Sequence, residues 1–229
     1  MVNDMDWKSL LGLPSLPKPG YLKAYEQALL KKISKEKPIA ELEFLVFDTE
    51  TTGLDTIKDH VLSYGSVQVC NNRIKIPTSR EFYLRPKKRN KEAVKVHGLI
   101  QERPYVSREQ LIRSFLEDAS SRILVGHHIG FDLAMLEKVG RNLGLKKIRQ
   151  PGVDTYNLAV RLELGKYHDP NSLVPQEYSL YKLCERYHIP LDDRHTAAGD
   201  ALLTAQLLLK LLKIAEKKGL KTFGALING

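Results

Sequence analysis

Four acidic residues stand at the end of an apolar strand or at the head of an apolar helical stripe, and this feature constrains the fold of the chain more than any other. Asp48 and Glu50 lie at the end of the apolar run LEFLVFDT, residues 42–49, which is typical of a buried strand. Because side chains alternate along a strand, residues two apart point to the same face. The sequence therefore predicts that these two carboxylates converge.

Asp132 and Asp200 each stand at the head of an apolar stripe with helical spacing. The stripe behind Asp132 is Leu136, Val139 and Leu143, and the stripe behind Asp200 is Leu203, Leu207, Leu211 and Ile214. An unpaired buried carboxylate costs several kcal/mol, and neither stripe contains a basic residue that could pair with its acid. Both acids therefore need a partner from elsewhere in the chain or from solution.

Any one of these acids alone would be interpreted as a helix cap or as half of an ion pair. The four together have a common explanation, a divalent metal site, because carboxylate oxygens suit Mg²⁺ or Mn²⁺ and the ions neutralise the cluster. His195 precedes Asp200 by five residues, on the loop expected to enter the last helix. A lone histidine is usually structural or exposed, but beside a metal cluster it is a candidate general base for activating water.

Composition and charge narrow the class of protein without naming its function. The 229 residues carry a formal net charge of +9, which favours a polyanionic partner such as nucleic acid, although solubility alone explains such a charge equally well. The two cysteines, Cys70 and Cys184, indicate neither a disulfide framework nor a cysteine zinc site. The sequence has no Walker A or G-x-G-x-x-G pattern, no secretory signal and no apolar run long enough for a membrane span. We expect a cytoplasmic protein without a membrane partner.

The order of predicted elements indicates an α/β fold with one mixed sheet flanked by helices. Strands are expected at residues 42–49 and 61–70, and Asn71-Asn72 is typical of a hairpin turn that leads into a third strand. Three antiparallel strands therefore begin the core, and strands then alternate with helices.

The predicted helices follow from apolar spacing and end signals. Ser107 and Gln110 form a capping-box pattern ahead of one helix, and residues 122–126 are typical of a short buried strand. Other helices are predicted at about residues 21–36, 130–143, 154–163, 179–188 and 197–217. We divide the chain into an N-terminal arm with a short helix at residues 1–38, a main domain at 39–217 and a short C-terminal tail at 218–229.

Three segments together resemble the three motifs of the DnaQ-like exonucleases, in the DEDDh subtype that has a histidine in its third motif. These segments are FDTETTGL at 47–54, GHHIGFDLAML at 126–136 and HTAAGDAL at 195–202. The likeness extends over about residues 42–215. It implies a ribonuclease-H-like fold, His195 as general base, and two divalent ions, Mg²⁺ or Mn²⁺, held by Asp48, Glu50, Asp132 and Asp200. The domain at 39–217 would then be the exonuclease domain.

The same resemblance implies contacts with the substrate. Leu54 matches a position that wedges against the terminal base, and Glu92 and His97 match residues that contact the terminal nucleotide. An exposed helix charge is an equally good interpretation of Glu92. One departure is His127-His128, where the family commonly has His-Asn, and it bears on the hydrogen bonding of this loop.

We therefore expect a 3′→5′ exonuclease that releases nucleoside monophosphates from a single-stranded 3′ end, with DNA favoured over RNA. The resemblance implies a proofreading or repair role and leaves open whether a DNA polymerase complex is a partner. Two alternatives remain, an RNA-trimming exoribonuclease and a non-catalytic module that binds nucleic acid or a polymerase. Degenerate relatives usually lose an acid, whereas all four acids and His195 are present here.

Overall fold

A computed structural model describes residues 18–86, 104–169, 171, 173–191 and 195–228. Within them the strands form one six-stranded sheet in the order β4-β3-β2-β1-β5-β6. The strands are β1 (Glu43–Thr51), β2 (Val61–Cys70), β3 (Arg73–Leu84), β4 (Tyr105–Val106), β5 (Ile123–Gly126) and β6 (Gly152–Asp154). This arrangement confirms the predicted α/β class with a mixed sheet.

The first three strands form an antiparallel meander, as the sequence predicts. The turn between β2 and β3 has both central residues in the left-handed region, Asn71 at φ 53° and Asn72 at φ 55°. Asparagine tolerates this conformation, which gives the hairpin the twist of its strands. The later strands β5 and β6 run parallel to β1, so the ends of β1, β5 and β6 lie at the same edge of the sheet.

Seven helices flank the sheet in the described part of the chain. They are α1 (Gly20–Ala28), α2 (Arg108–Ala119), α3 (Ile129–Gly140), α4 (Thr155–Leu164), α5 (Leu180–Arg186), α6 (Ala197–Lys217) and α7 (Phe223–Asn228). The predicted capping box of α2 is confirmed by hydrogen bonds of 3.1 Å and 2.8 Å between Ser107 and Gln110. None of the helices seen in these ranges combines the length and hydropathy that a membrane span requires.

The helix predicted at residues 21–36 is shorter than expected and ends at Ala28. Its buried side chains are Leu22 and Tyr25, whereas Leu30 is 80% exposed. Helical spacing continues past Ala28 in the sequence with Leu29 and Ile33, but both side chains are only partly buried where they pack against the core. Without full burial of its apolar face a short helix is marginal, so it stops.

The two faces of β1 pack against different helices. Phe44 and Val46 point into a core shared with α4, α5 and α6, while Leu45 and Phe47 point into a core shared with α1, α2 and α3. Side chains of even-numbered residues of β1 therefore face α6, and those of odd-numbered residues face α3. This alternation continues to the end of the strand and decides how the acids are arranged.

The segments on either side of residues 39–217 also pack onto this core. Leu22 and Tyr25 of α1 are buried on one face of the sheet, and Phe223 and Leu226 of α7 are buried on the other. A backbone hydrogen bond joins the two segments: Phe223 N–H donates to the Lys37 carbonyl at 2.9 Å. The domain boundaries at 38 and 217 stay predictions.

Candidate active site

Three of the predicted acids meet at the end of β1. Asp48 and Glu50 come from β1, Asp200 comes from the first turn of α6, and one carboxylate oxygen of each lies within 4.8 Å of the others. The even-numbered pair on β1 faces α6, which explains why these acids share one side of the sheet. The convergence follows from alternation on the strand and from the position of the helix start.

The start of α6 approaches the sheet unusually closely at Gly65, which is the cross-strand partner of Asp48. A Cβ atom on Gly65 would lie 2.2 Å from the carbonyl carbon of Ala197. The side chain of Thr196 caps the helix by accepting a hydrogen bond of 3.0 Å from Gly199 N–H. The missing side chain at Gly65 and the cap at Thr196 together place Asp200 beside Asp48.

Asp132 reaches the same edge from the opposite face of the sheet. Its Oδ1 accepts two hydrogen bonds from Thr49, one from the backbone N–H at 3.0 Å and one from the hydroxyl at 2.5 Å. Thr49 is odd-numbered on β1, so its side chain faces α3, where Asp132 stands in the first turn. The structure therefore holds Asp132 next to β1 through Thr49, and does not include it in the close group of three oxygens.

The acids repel one another, and burial strengthens the effect. Burial raises the pKa of Asp48 well above its usual range, and the charges of Asp132, Asp200 and Glu50 raise it further. Burial also raises the pKa of Asp132 to about 7, against the opposing effect of the hydrogen bonds from Thr49. These negative charges are costly at neutral pH, and a bound cation would offset the cost.

The donors at the site suit a hard divalent cation. All of them are carboxylate oxygens, the ligands that Mg²⁺ and Mn²⁺ prefer, and three lie close enough to share an ion. Asp48 and Glu50 are partly exposed, so the group opens to solvent on one side. The residues present therefore fit a metal centre that is open to solvent on one side.

The structure adds Tyr181, which the sequence analysis missed. Its hydroxyl donates to the carboxylate of Asp200, at 2.9 Å from Oδ2, and lies 3.3 Å from Nδ1 of His195. His195 is exposed on the loop before α6, where the sequence predicts it. Tyr181 stands in the first turn of α5, directly after Ser179-Leu180, and its contacts are formed only when α5 packs beside α6. A local sequence pattern carries little signal for such a contact.

The two histidines ahead of Asp132 organise the loop between β5 and α3. His127 Nδ1 lies 2.9 Å from Thr155 Oγ1, and burial lowers the pKa of His127 to about 3, so its ring is neutral. His128 adopts φ 62° and donates its backbone N–H to Asp154 Oδ1 at 3.1 Å. The pair thus orients the loop, and its departure from the common His-Asn leaves Asp132 in place.

The loop between β1 and β2 carries two exposed apolar side chains. Leu54 is 86% exposed and Ile57 is 84% exposed. The loop backbone is nevertheless well ordered by hydrogen bonds to Asp59, whose carboxylate accepts from Thr52 Oγ1 at 2.7 Å and from Asp55 N–H at 2.8 Å. The loop that carries Leu54 is therefore fixed by hydrogen bonds, and the contact of Leu54 with a substrate base stays a prediction. The other two predicted substrate residues, Glu92 and His97, lie outside the described residues.

A family model described as "Exonuclease" matches residues 45–208, more than half of the 229-residue chain. The chain is 32% identical over 201 residues to a DNA polymerase III subunit epsilon-like protein of Rhodobacter capsulatus, covering 84% of this chain and 27% of that protein. It is 31% identical over 188 residues to the PolC-type DNA polymerase III of Bacillus subtilis, covering 80% of this chain and 12% of that protein. The chain thus spans only a small part of these relatives.

Solved structures share the fold at low sequence identity. Exonuclease I of E. coli in complex with a dT13 oligonucleotide superposes with a TM-score of 0.61 at 13% identity, covering 78% of this chain and 43% of that one. Cell-death related nuclease 4 gives a TM-score of 0.54 at 17% identity, covering 76% of this chain and 65% of that one. These similarities confirm the predicted ribonuclease-H-like fold.

Proposed function

Because the chain belongs to the exonuclease family, we propose that it is a metal-dependent DNA exonuclease that removes nucleotides from the 3′ end. The observation that carries this proposal is the group formed by Asp48, Glu50 and Asp200, with carboxylate oxygens within 4.8 Å of one another. Such a group at an open edge of the sheet is costly unless it binds cations, and bound cations suit phosphodiester hydrolysis.

Each residue of the site has a proposed role. Two divalent ions, Mg²⁺ or Mn²⁺, would be held by Asp48, Glu50, Asp132 and Asp200. When bound, such ions neutralise charge on the scissile phosphate and lower the pKa of a water. His195 takes the proton of the attacking water, and Leu54 contacts the terminal base. The products are nucleoside monophosphates, and the exonuclease domain spans residues 39–217.

The preference for DNA is supported by the relatives, and the 3′→5′ direction by the resemblance of the three motifs to the DnaQ-like exonucleases. Two of the relatives are DNA polymerase III proteins, and a structural neighbour was solved with a DNA oligonucleotide. The net charge of +9 favours a polyanionic substrate. A proofreading or repair role, a DNA polymerase partner and a cytoplasmic location extend the same proposal.

The test is digestion of oligonucleotides that carry a label at the 5′ or the 3′ end, as DNA and as RNA, with Mg²⁺ or Mn²⁺. We expect a stepwise ladder from the 5′-labelled DNA strand, abolished by EDTA and by Asp200→Ala. Glu117→Ala is the matched control, because Glu117 is a surface acid paired with Arg113 outside the site. That control variant should cleave like the wild type.

Other results would redirect the proposal. A ladder from RNA alone would identify an exoribonuclease. A ladder from the 3′-labelled strand alone would reverse the direction of cleavage. Full activity of Asp200→Ala would refute the proposed metal centre, and binding of metal and nucleic acid without cleavage would identify a binding module.

A further inference from the structure

The hydroxyl of Tyr181 lies between the acids and His195. Its oxygen is 2.9 Å and 3.1 Å from the two carboxylate oxygens of Asp200, and 3.3 Å from Nδ1 of His195. We infer that Tyr181 is a positioning residue that fixes which ring nitrogen of His195 carries the proton. This inference rests on the proposed function, in which His195 is the general base.

The distribution of protons follows from a count of donors and acceptors. A phenol has one proton, and an ionised carboxylate only accepts, so the proton of Tyr181 is directed to Asp200. The phenol oxygen can then only accept from His195, which requires the proton of a neutral imidazole to be on Nδ1. The remaining nitrogen, Nε2, keeps its lone pair and is the atom that can take a proton from water.

The ring of Tyr181 also packs against His195. The two rings meet edge to face with centroids 5.4 Å apart. His195 adopts φ 64°, in the left-handed region that a residue with a side chain rarely occupies. Tyr181 thus contacts the imidazole of His195 through both its ring and its hydroxyl.

Tyr181 is itself anchored by the core. It stands in the first turn of α5, whose next turn buries Leu183 and Cys184 completely. A phenol is protonated at neutral pH, so the Tyr181 hydroxyl is a donor to Asp200. A fixed helix therefore presents a fixed hydroxyl to the loop that carries His195.

This arrangement matters because a histidine side chain in water carries its neutral proton mainly on Nε2. Without Tyr181 the nitrogen with the lone pair would be Nδ1, next to the main chain, and the ring would be free to rotate. The hydrogen bond made by one ring nitrogen decides the role of the other, and removal of such a partner typically costs about 10- to 100-fold in activity.

The first test is the kinetics of Tyr181→Phe, which keeps the ring and removes the hydroxyl. We expect kcat to fall about 10- to 100-fold, with the KM for the oligonucleotide little changed. Tyr187→Phe is the matched control, because the Tyr187 hydroxyl donates to Glu163 at 2.6 Å, at the other end of α5. That control should retain wild-type kcat, and thermal melting of both variants reports whether they fold.

A double substitution separates an effect through His195 from an effect through Asp200. If Tyr181 acts through His195, Tyr181→Phe should cause no further loss when it is added to His195→Gln. An equal additional loss in the His195→Gln background would mean that Tyr181 acts through the metal ligand, and it would overturn the inference.

The second test is independent of turnover and of any metal. The ¹⁵N shifts of the neutral His195 imidazole, assigned by comparison with His195→Gln, report which nitrogen carries the proton. We expect the Nδ1–H form in the metal-free wild type and the Nε2–H form in Tyr181→Phe. If the wild type carries the proton on Nε2, the inference about Tyr181 is overturned and the exonuclease proposal is unaffected. If the wild type has no nuclease activity, the exonuclease proposal is overturned, and the spectrum still reports the position of the proton.

Discussion

Asp132 combines deep burial with negative charge at the edge of the site. It is 4% exposed, and burial raises its pKa to about 7 although two hydrogen bonds from Thr49 oppose the rise. The pKa of Asp48 is also raised, by burial and by the charges of the neighbouring acids. The site therefore costs stability at neutral pH whenever no cation offsets its charge.

This cost predicts how the stability of the metal-free protein depends on pH. The folded-state pKa of Asp132 is about 7, against an ordinary value of 3.8, so between about pH 4 and pH 7 the folded protein binds more protons than the unfolded chain. Stability should fall as pH rises through this window. In Asp132→Asn the fall should be smaller, as measured by thermal unfolding in EDTA. An unchanged slope in this variant would contradict the assignment of the raised pKa to Asp132.

The alternation of side chains along β1 explains which parts of the site could be predicted from the sequence. Asp48 and Glu50 converge because they are two apart, and that prediction needs nothing beyond β1. The same alternation turns Thr49 to the other face, but the sequence does not say that Asp132 meets it there. Tyr181 is harder still, because its partners Asp200 and His195 belong to another element.

At the scale of elements, the contact between β2 and the start of α6 places Asp200 at the site. Gly65→Ala would put a Cβ atom 2.2 Å from the backbone of Ala197 and Ala198, so the helix must move. We expect a loss of about 1–3 kcal/mol of stability, typical of overpacking, together with loss of metal binding. Thermal unfolding and metal titration of the variant measure the two effects.

The matched control for Gly65→Ala is Gly20→Ala. Gly20 begins α1, and a Cβ atom there would meet nothing within 4 Å. Alanine favours a helix over glycine, so this variant should be as stable as the wild type or slightly more stable, and should bind metal normally. Normal metal binding by Gly65→Ala would show that α6 can shift without moving Asp200.

The loop between β1 and β2 is tied to α3 by Lys138. Its ammonium group donates to the backbone carbonyls of Ile57, at 2.7 Å, and of Asp59. Lys138→Met should loosen the loop that presents Leu54, and so raise the KM for an oligonucleotide severalfold with a smaller change in kcat. Loss of hydrogen bonds from a charged group should also cost about 1.5–3 kcal/mol of stability.

Steady-state kinetics on a short oligonucleotide would check the effect of Lys138→Met. Lys147→Met serves as the control, because Lys147 is exposed and lies outside this loop. A KM equal to that of the wild type would mean that the loop holds its shape without Lys138, through the hydrogen bonds of Asp59 alone.

Turns and caps that depend on neighbouring residues could be predicted from the sequence. Elements whose length depends on packing against distant parts of the chain could not. The Asn71-Asn72 hairpin and the Ser107 capping box are local, and both are present. The length of α1 depends on how fully its apolar face is buried, and Leu29 just beyond its end is only partly buried, so periodicity overestimated the length. Helix α7 in the tail is held against the core by Phe223 and Leu226. The sequence of the tail alone does not predict this packing.

At the scale of the whole molecule, an acidic centre is embedded in a basic protein. The formal net charge is +9 although the candidate site gathers four carboxylates. Long-range attraction can therefore bring a polyanion to the protein, while the acids alone would repel its phosphates at short range. Binding of nucleic acid should need both the basic surface and a divalent ion.

This balance predicts the salt dependence of substrate binding. A single strand that makes about three to five phosphate contacts should lose roughly 10- to 100-fold in affinity between 50 and 200 mM salt, because each contact releases counterions. The measurement is fluorescence anisotropy of labelled single-stranded DNA in Mg²⁺ with His195→Gln, which keeps the metal ligands and which we expect to bind with much slower cleavage. An oligonucleotide with an uncharged methylphosphonate backbone is the control, and its binding should hardly change with salt. Equal salt dependence of the two ligands would mean that base contacts such as Leu54, and not the positive charge of the protein, hold the strand.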